Sequence, residues 1–224
     1  QDGRRVRMGH LAFIASHKVN GVPALHTQLM RRTIFRELVG TYGDRITSKT
    51  NGVSFRRWLH RANPGLTRLL VEALGERVLR DPDALAELAP LADDAAFRAR
   101  FAAQRLERKD RLAALIAAQL GIRVDPAALF DVQIKRIHEY KRQLLNILQT
   151  IALYLEIRAA RGRNWVPRVK IFAGKAAPGY HQAKRIIQLA HDVAGVVNAD
   201  PAVADILKLV FLPNYNVRLA EAII

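Results

Sequence analysis

From Leu129 onward the chain repeats one pattern: a short apolar run, a turn, then a longer amphipathic run. Leu129–Ile134, Val169–Ala173 and Leu207–Leu212 have the length and content of buried strands. Between them, Leu144, Leu148, Ile151 and Leu155 recur at spacings of four, three and four, which marks a helix over Tyr140–Arg158. Ala183, Ile186, Ile187, Leu189 and Ala190 mark a second helix, closed by Val193 to Asn198. Strands that alternate with helices imply a parallel sheet, because parallel neighbours need long crossovers. In such sheets ligands bind beyond the carboxyl ends of the strands. Three groups fall there: a basic cluster after the first strand, Gly174-Lys175 after the second and Asn214-Tyr215 after the third.

The basic cluster lies in QIKRIHEYKRQLLN, residues 133–146, where Lys135, Arg136, His138, Lys141 and Arg142 surround Tyr140. A helix N-terminus is already positive, so cations gathered just before one repel it unless an anion is bound. Phosphate is the common occupant of such a position. The plainer alternative is a solvated basic turn.

Met8–Ala15 is short and apolar, as a buried strand would be. Ser16-His17-Lys18-Val19-Asn20-Gly21-Val22 breaks that pattern, and Gly21 suits a loop that approaches a ligand closely. A helix is expected from Ala24, with Leu25, Leu29, Met30, Ile34 and Leu38 on its apolar side and Thr41-Tyr42-Gly43-Asp44 at its end. Thr50-Asn51-Gly52-Val53 is a turn, since Asn-Gly favours left-handed backbone. Residues 54–120 read as helical scaffold: Asn63-Pro64, Asp81-Pro82 and Asp93-Asp94 each open a helix. His10, His60, His181 and His191 are taken as surface or core residues.

Charge bounds the partners. The net charge is +16. Residues 1–50 carry 9 basic and 3 acidic side chains, residues 51–128 carry 13 and 10, and residues 129–224 carry 14 and 7. Nucleic acid is the first suspect for such a surplus, but the arginines are spread along the chain and no nucleic-acid motif is present. The absence of cysteine excludes a disulfide framework and fits a cytoplasmic protein. No signal segment or long uncharged apolar stretch points to secretion or a membrane. No cluster of ligating residues points to a metal. The basic opening run Arg4, Arg5, Arg7 after Gln1, and the apolar finish Leu219–Ile224 without a stop signal, read as cut edges of a longer chain.

Five segments together resemble the α-glucan phosphorylases, the family of glycogen, starch and maltodextrin phosphorylase. They are SHKVNGVPALH at 16–26, TNGVSFRRWLHRANPGL at 50–66, the basic segment at 133–146, GKAAPGYHQAKRII at 174–187 and VFLPNYNVRLAE at 210–221. Their order agrees with the family, which is more specific than any single motif. Phe55, where the family usually has proline, and Pro23, where it usually does not, depart from the pattern.

The resemblance implies an α/β fold: a fragment of a two-lobed GT-B-type glycosyltransferase, with half of a Rossmann-like parallel sheet and a helical segment. Residues 1–50 would end the N-terminal lobe and 51–224 would begin the C-terminal, cofactor-bearing lobe, helical over 51–128 and Rossmann-like over 129–224. The implied reaction is phosphorolysis of α-1,4-glucan by inorganic phosphate, with pyridoxal phosphate as cofactor and a homodimeric parent enzyme. By resemblance, Arg136 binds substrate phosphate, Lys135 faces the cofactor phosphate and Lys141 lies between the two. Tyr140 reaches a sugar hydroxyl, Tyr215 lines the cofactor ring, Asn51 meets the sugar's hydroxymethyl group and His17 contacts the transferred glucosyl unit. His17 and Asn51 would then meet at one sugar. Tyr180 matches an aromatic of an entrance-side inhibitor site, and His138 orients its neighbours. The lysine that carries pyridoxal phosphate lies downstream of Ile224 in the family, so this chain alone is expected to be inactive. Two other readings remain at this point: a basic nucleic-acid-binding protein, and a non-catalytic α/β interaction domain that keeps the phosphate turn.

Overall fold

The computed structural model describes residues 5–160 and 162–224; Gln1 and Arg4 of the basic opening run lie outside them. The chain divides into two compact units, Gln1–Ser54 and Phe55–Ile224.

The first unit is mostly helical. Met8–Ala15 forms helix α1 and not the expected strand. Its apolar residues lack period-two alternation, Met, Leu and two alanines favour helix, and only Phe13 is buried. Strand β1 (Val19–Asn20) follows, then α2 (Ala24–Arg32), α3 (Arg36–Tyr42) and β2 (Ile46–Thr47). The single helix expected from Ala24 is therefore two, broken at Thr33, whose hydroxyl donates to the Leu29 carbonyl at 2.6 Å. The buried side of α2 is Thr27 and Met30, while Leu25, Leu29 and Ile34 are exposed. Phe13, Met30, Phe35 and Ile46 form the core, with the Phe13 and Phe35 rings 5.1 Å apart. Gly21 is needed for close approach, but to α2. A Cβ there would lie 2.7 Å from the Thr27 hydroxyl and 2.9 Å from the Met30 sulfur.

The second unit opens with a π-helical turn over Arg56–Arg61, then α4 (Pro64–Leu74), two 3-10 segments over Glu76–Leu79 and Pro82–Asp93, and α5 (Ala95–Leu120). The predicted caps are in place. The Asn63 side chain accepts from the Leu66 N–H, the Asp81 carboxylate from Asp83, and the Asp94 carboxylate from Ala96 and Phe97. Gly121, in the left-handed region at φ +69°, ends α5.

The sheet follows: β3 (Leu129–Ile134), α6 (Gln143–Ala159), β4 (Arg168–Ala173), α7 (His181–Ala199), β5 (Leu207–Leu212) and α8 (Val217–Ile223). The order is β3-β4-β5, parallel throughout, with Ile134, Ala173 and Leu212 in register at the carboxyl ends. Side chains alternate across it. Val169, Ile171, Ala173, Val210 and Leu212 pack against Leu112 and Ile116 of α5. Phe172, Leu209 and Phe211 face Ile147 of α6 and Ala183 and Ile186 of α7. The α/β parallel architecture expected from the sequence is thus present. The expected face of the first crossover helix is not. Leu144, Leu148 and Leu155 are exposed, and α6 instead buries Gln143, Ile147, Thr150 and Ile157. Apolar residues surround this helix, so spacing alone did not single out the buried stripe.

Candidate functional site

Because the strand ends are in register, the segments after β3, β4 and β5 leave the sheet along one rim. Two backbone bonds carry the ladder past the strands: Lys135 N–H to the Ala173 carbonyl and Ile137 N–H to the Lys175 carbonyl, both 3.1 Å. Ile137 is buried in the core beneath α6 and α7, while Lys135, Arg136 and His138 on either side of it are exposed. The segment thus sinks one apolar anchor and leaves its cations exposed. The same approach accounts for Gly174. A Cβ there would overlap the Lys135 carbonyl oxygen and sit 2.9 Å from Ile137 Cδ1.

Two carboxamides hold the turn from within. Gln143, 1% exposed, donates from Nε2 to the Arg136 carbonyl (3.2 Å) and accepts from the His138 N–H (3.3 Å). Gln133 donates to the Lys141 carbonyl at 3.0 Å. A 3-10 turn over Glu139–Lys141 precedes α6, so the helix starts at Gln143 and not at Tyr140. Arg142, at φ +62° and ψ +33°, makes the junction.

An aromatic group stands on the turn. His138 lies 4.3 Å from the Tyr140 ring and 5.0 Å, edge-on, from Tyr180, which brings the segment after β4 into the site. The Lys141 ammonium lies 4.8 Å over the Tyr140 ring. The Tyr180 hydroxyl donates to the Glu139 carboxylate at 2.5 Å, and that bond holds its phenol above the usual tyrosine range. His138 thus stands in ring contact with both Tyr140 and Tyr180.

His138, Tyr140, Lys141 and Tyr180 therefore come together, with Lys135 and Arg136 exposed on the segment that leads into the turn. Tyr215 stands at the end of β5, two strands from the basic turn, a lateral distance of about 10 Å at ordinary strand spacing. It is half-buried against the core on the α5 side. Asn214 before it is left-handed, at φ +54°. His17 and Asn51 both lie in the first unit and are exposed. Val19 pairs with Ile46 and Asn20 with Thr47 in parallel. His17 precedes β1 and Asn51 follows β2, so the two leave the strand pair at opposite ends. The Asn20 side chain, which the sequence did not single out, ties the segment leading to Asn51. It accepts from the Lys49 N–H at 2.8 Å and donates to its carbonyl at 3.1 Å.

Sequence reasoning also missed Gln133, Gln143, Asn146 and Lys170. One signal was available: Lys170 stands between Val169 and Ile171 in an otherwise apolar strand, where an unpaired ammonium would be costly. Among the described residues, no group of three or more His, Asp or Glu could hold a metal ion, and no helix is long and apolar enough to cross a membrane.

The fold is a parallel α/β unit with a cluster of cations on the rim at the carboxyl ends of its strands, where ligands bind in sheets of this class. The chain belongs to the carbohydrate phosphorylase family, whose model matches residues 1–224. It is 44% identical over 223 residues to brain-form glycogen phosphorylase of Bos taurus, covering all of this chain and 26% of that protein. It is also 44% identical over 221 residues to the human muscle form, covering 99% of this chain and 26% of that protein. Glycogen phosphorylase of Bacillus subtilis is 44% identical over 218 residues, 97% of this chain and 27% of that protein. The chain thus spans about a quarter of the length of these relatives.

Proposed function

We propose that this chain is the part of an α-1,4-glucan phosphorylase that supplies the cations for its phosphate site. The observation that carries the reading is the turn Lys135–Arg142, held rigidly on the rim of a parallel sheet in a chain that matches the family throughout. In phosphorolysis an oxygen of inorganic phosphate forms a bond to C1 of the terminal glucosyl unit. The C1–O4 bond breaks, the departing O4 takes the proton that the hydrogen phosphate carried, and glucose 1-phosphate leaves. The transition state places oxocarbenium character beside a phosphate anion. Cations that are already in place stabilise such an arrangement without reorganisation.

In this reading Arg136 binds inorganic phosphate through its planar donors, and Lys141 adds a second cation to the same anion. Tyr140 hydrogen-bonds a sugar hydroxyl. Asn51 and His17 enter on the resemblance alone, as contacts to the glucosyl unit. Pyridoxal phosphate is the cofactor the family implies. The donor set suits it: Lys135 and Lys141 offer ammonium groups to a phosphate, and Tyr215 offers an aromatic wall for the ring. When bound, the group supplies a second fixed phosphate beside the substrate phosphate. The GT-B architecture, the glucan and phosphate partners and the homodimeric parent belong to this proposal. So does a cytoplasmic location, with which the absence of cysteine agrees.

The test is a calorimetric titration of inorganic phosphate into the full-length protein and its Arg136→Ala variant. Loss of a charge-assisted contact weakens binding by about 1.5–3 kcal/mol. Equal affinities would leave the cluster as a solvated turn.

A further inference from the structure

A row of polar side chains runs beneath the basic turn, between β3 and α6. Gln133 donates from Nε2 to the Lys141 carbonyl (3.0 Å), and its Oε1 accepts from Asn146 Nδ2 (3.0 Å). Asn146 Oδ1 accepts from Lys170 Nζ (3.0 Å), which also donates to its cross-strand neighbour Asp131 (2.5 Å). Lys170 is 2% exposed. The Thr150 hydroxyl pins the Asn146 carbonyl at 2.8 Å, which fixes the helix side of the row.

The row has a direction. A carboxamide can turn either end toward a neighbour, because its oxygen and nitrogen are nearly the same size. An ammonium can only donate. Lys170 therefore obliges Asn146 to present its oxygen, so the Asn146 NH2 meets the Gln133 oxygen and the Gln133 NH2 meets the Lys141 carbonyl. A reversed row would set oxygen against oxygen at Lys141. Asp131 keeps the buried ammonium paired, and Arg168 stands 4.0 Å from the same carboxylate oxygen.

We infer that Lys170, Asn146 and Gln133 are positioning residues for the anion site. The buried lysine sets the polarity of the two carboxamides, and they hold Lys141 in the place where its side chain meets phosphate. This rests on the phosphate reading above. The row touches no substrate and acts only through Lys141.

The experiment uses the full-length protein and compares Gln133→Glu, Gln133→Met, Lys170→Met and Arg136→Ala for KM of phosphate, KM of glucan and kcat across pH. In Gln133→Glu the introduced carboxylate repels the Lys141 carbonyl when ionised and donates to it when protonated. Its KM for phosphate is expected to rise roughly three- to tenfold at neutral pH, the size of one lost hydrogen bond. The ratio to the unaltered protein should fall toward one as pH drops into the range of a partly buried carboxyl. Gln133→Met, close in volume but without a donor, should show a similar rise whose ratio stays flat with pH. Lys170→Met should raise KM for phosphate and leave KM for glucan unchanged. Equal changes for both substrates, or the same pH behaviour in Gln133→Glu and Gln133→Met, would overturn the inference. If Arg136→Ala binds phosphate as the unaltered protein does, the phosphate reading fails, whatever the Gln133 variants show.

Discussion

The Lys135 carbonyl oxygen occupies the space that a side chain at residue 174 would need. The turn after β3 and the turn after β4 therefore lie against each other, with the Ile137 N–H bonded to the Lys175 carbonyl at 3.1 Å. Gly174→Ala should separate the two turns. The expected cost is about 1–3 kcal/mol, as for overpacking at a tight contact, together with weaker phosphate binding. Gly179→Ala in the same segment is the control, since nothing lies within 4 Å of its added carbon. Urea denaturation of both variants separates the outcomes, and equal stabilities would show that the close approach is not needed.

The buried ammonium of Lys170 gives a second prediction. Lys170→Met alone leaves Asp131 without its closest partner and Asn146 without its donor. A loss of about 1–3 kcal/mol is expected, toward the low end because Asp131 retains some solvent contact and Arg168 nearby. Adding Asp131→Leu should recover most of it, because replacing a whole ion pair by apolar groups is often neutral. The stability of the double variant decides this: no recovery would mean that the pair itself supplies the stability.

Asp44 gives a prediction about pH in the first unit. Its carboxylate accepts from the Ile46 N–H at 2.9 Å and pairs with Arg31 at 2.9 Å, and these contacts hold it below its ordinary value of 3.8. A carboxyl depressed on folding contributes stability above its unfolded value and loses it as pH falls through the folded one. Asp44→Ala should therefore destabilise most near neutral pH, and its difference from the unaltered protein should shrink below about pH 4. A difference that persists unchanged at low pH would show that the carboxylate's charge contributes nothing.

Much of this architecture was legible because strands announce themselves locally. The runs Leu129–Ile134, Val169–Ala173 and Leu207–Leu212 are rich in apolar and branched residues, and they are the three strands observed, β4 starting one residue earlier. The caps at Asn63, Asp81 and Asp94 were legible for the same reason, since a cap acts within three residues. Met8–Ala15 was not, because a short apolar run has no period that separates strand from helix. The cations of the site stood out as a cluster. Their supports did not. Gln143 looks like a surface residue until the fold places it under Ile137, and Gln133 and Asn146 meet only when β3 and α6 pack. Gly21, read from the sequence as suiting close approach to a ligand, has Thr27 and Met30 as its close neighbours, a packing need that the sequence did not announce.

Arg142 holds a left-handed backbone at the start of α6, where a glycine pays no steric penalty. Its side chain is exposed. Arg142→Gly should leave stability unchanged or raise it by up to about 1 kcal/mol, the relief of strain offset by greater freedom of the unfolded chain. Arg142→Val should lower stability, because a branched side chain resists that conformation. Thermal denaturation of the two variants checks the order, and a more stable Val variant would contradict it.

The central claim is that Arg136 and Lys141 act on one phosphate. The most direct measurement is a double-mutant cycle in the full-length protein: phosphate affinity of the unaltered protein, Arg136→Ala, Lys141→Ala and the two combined. If both cations hold the same anion, each single change weakens binding and the combined loss differs from the sum of the two by more than about 0.5 kcal/mol. Strict additivity, or an affinity that neither change alters, would contradict a shared phosphate at this turn.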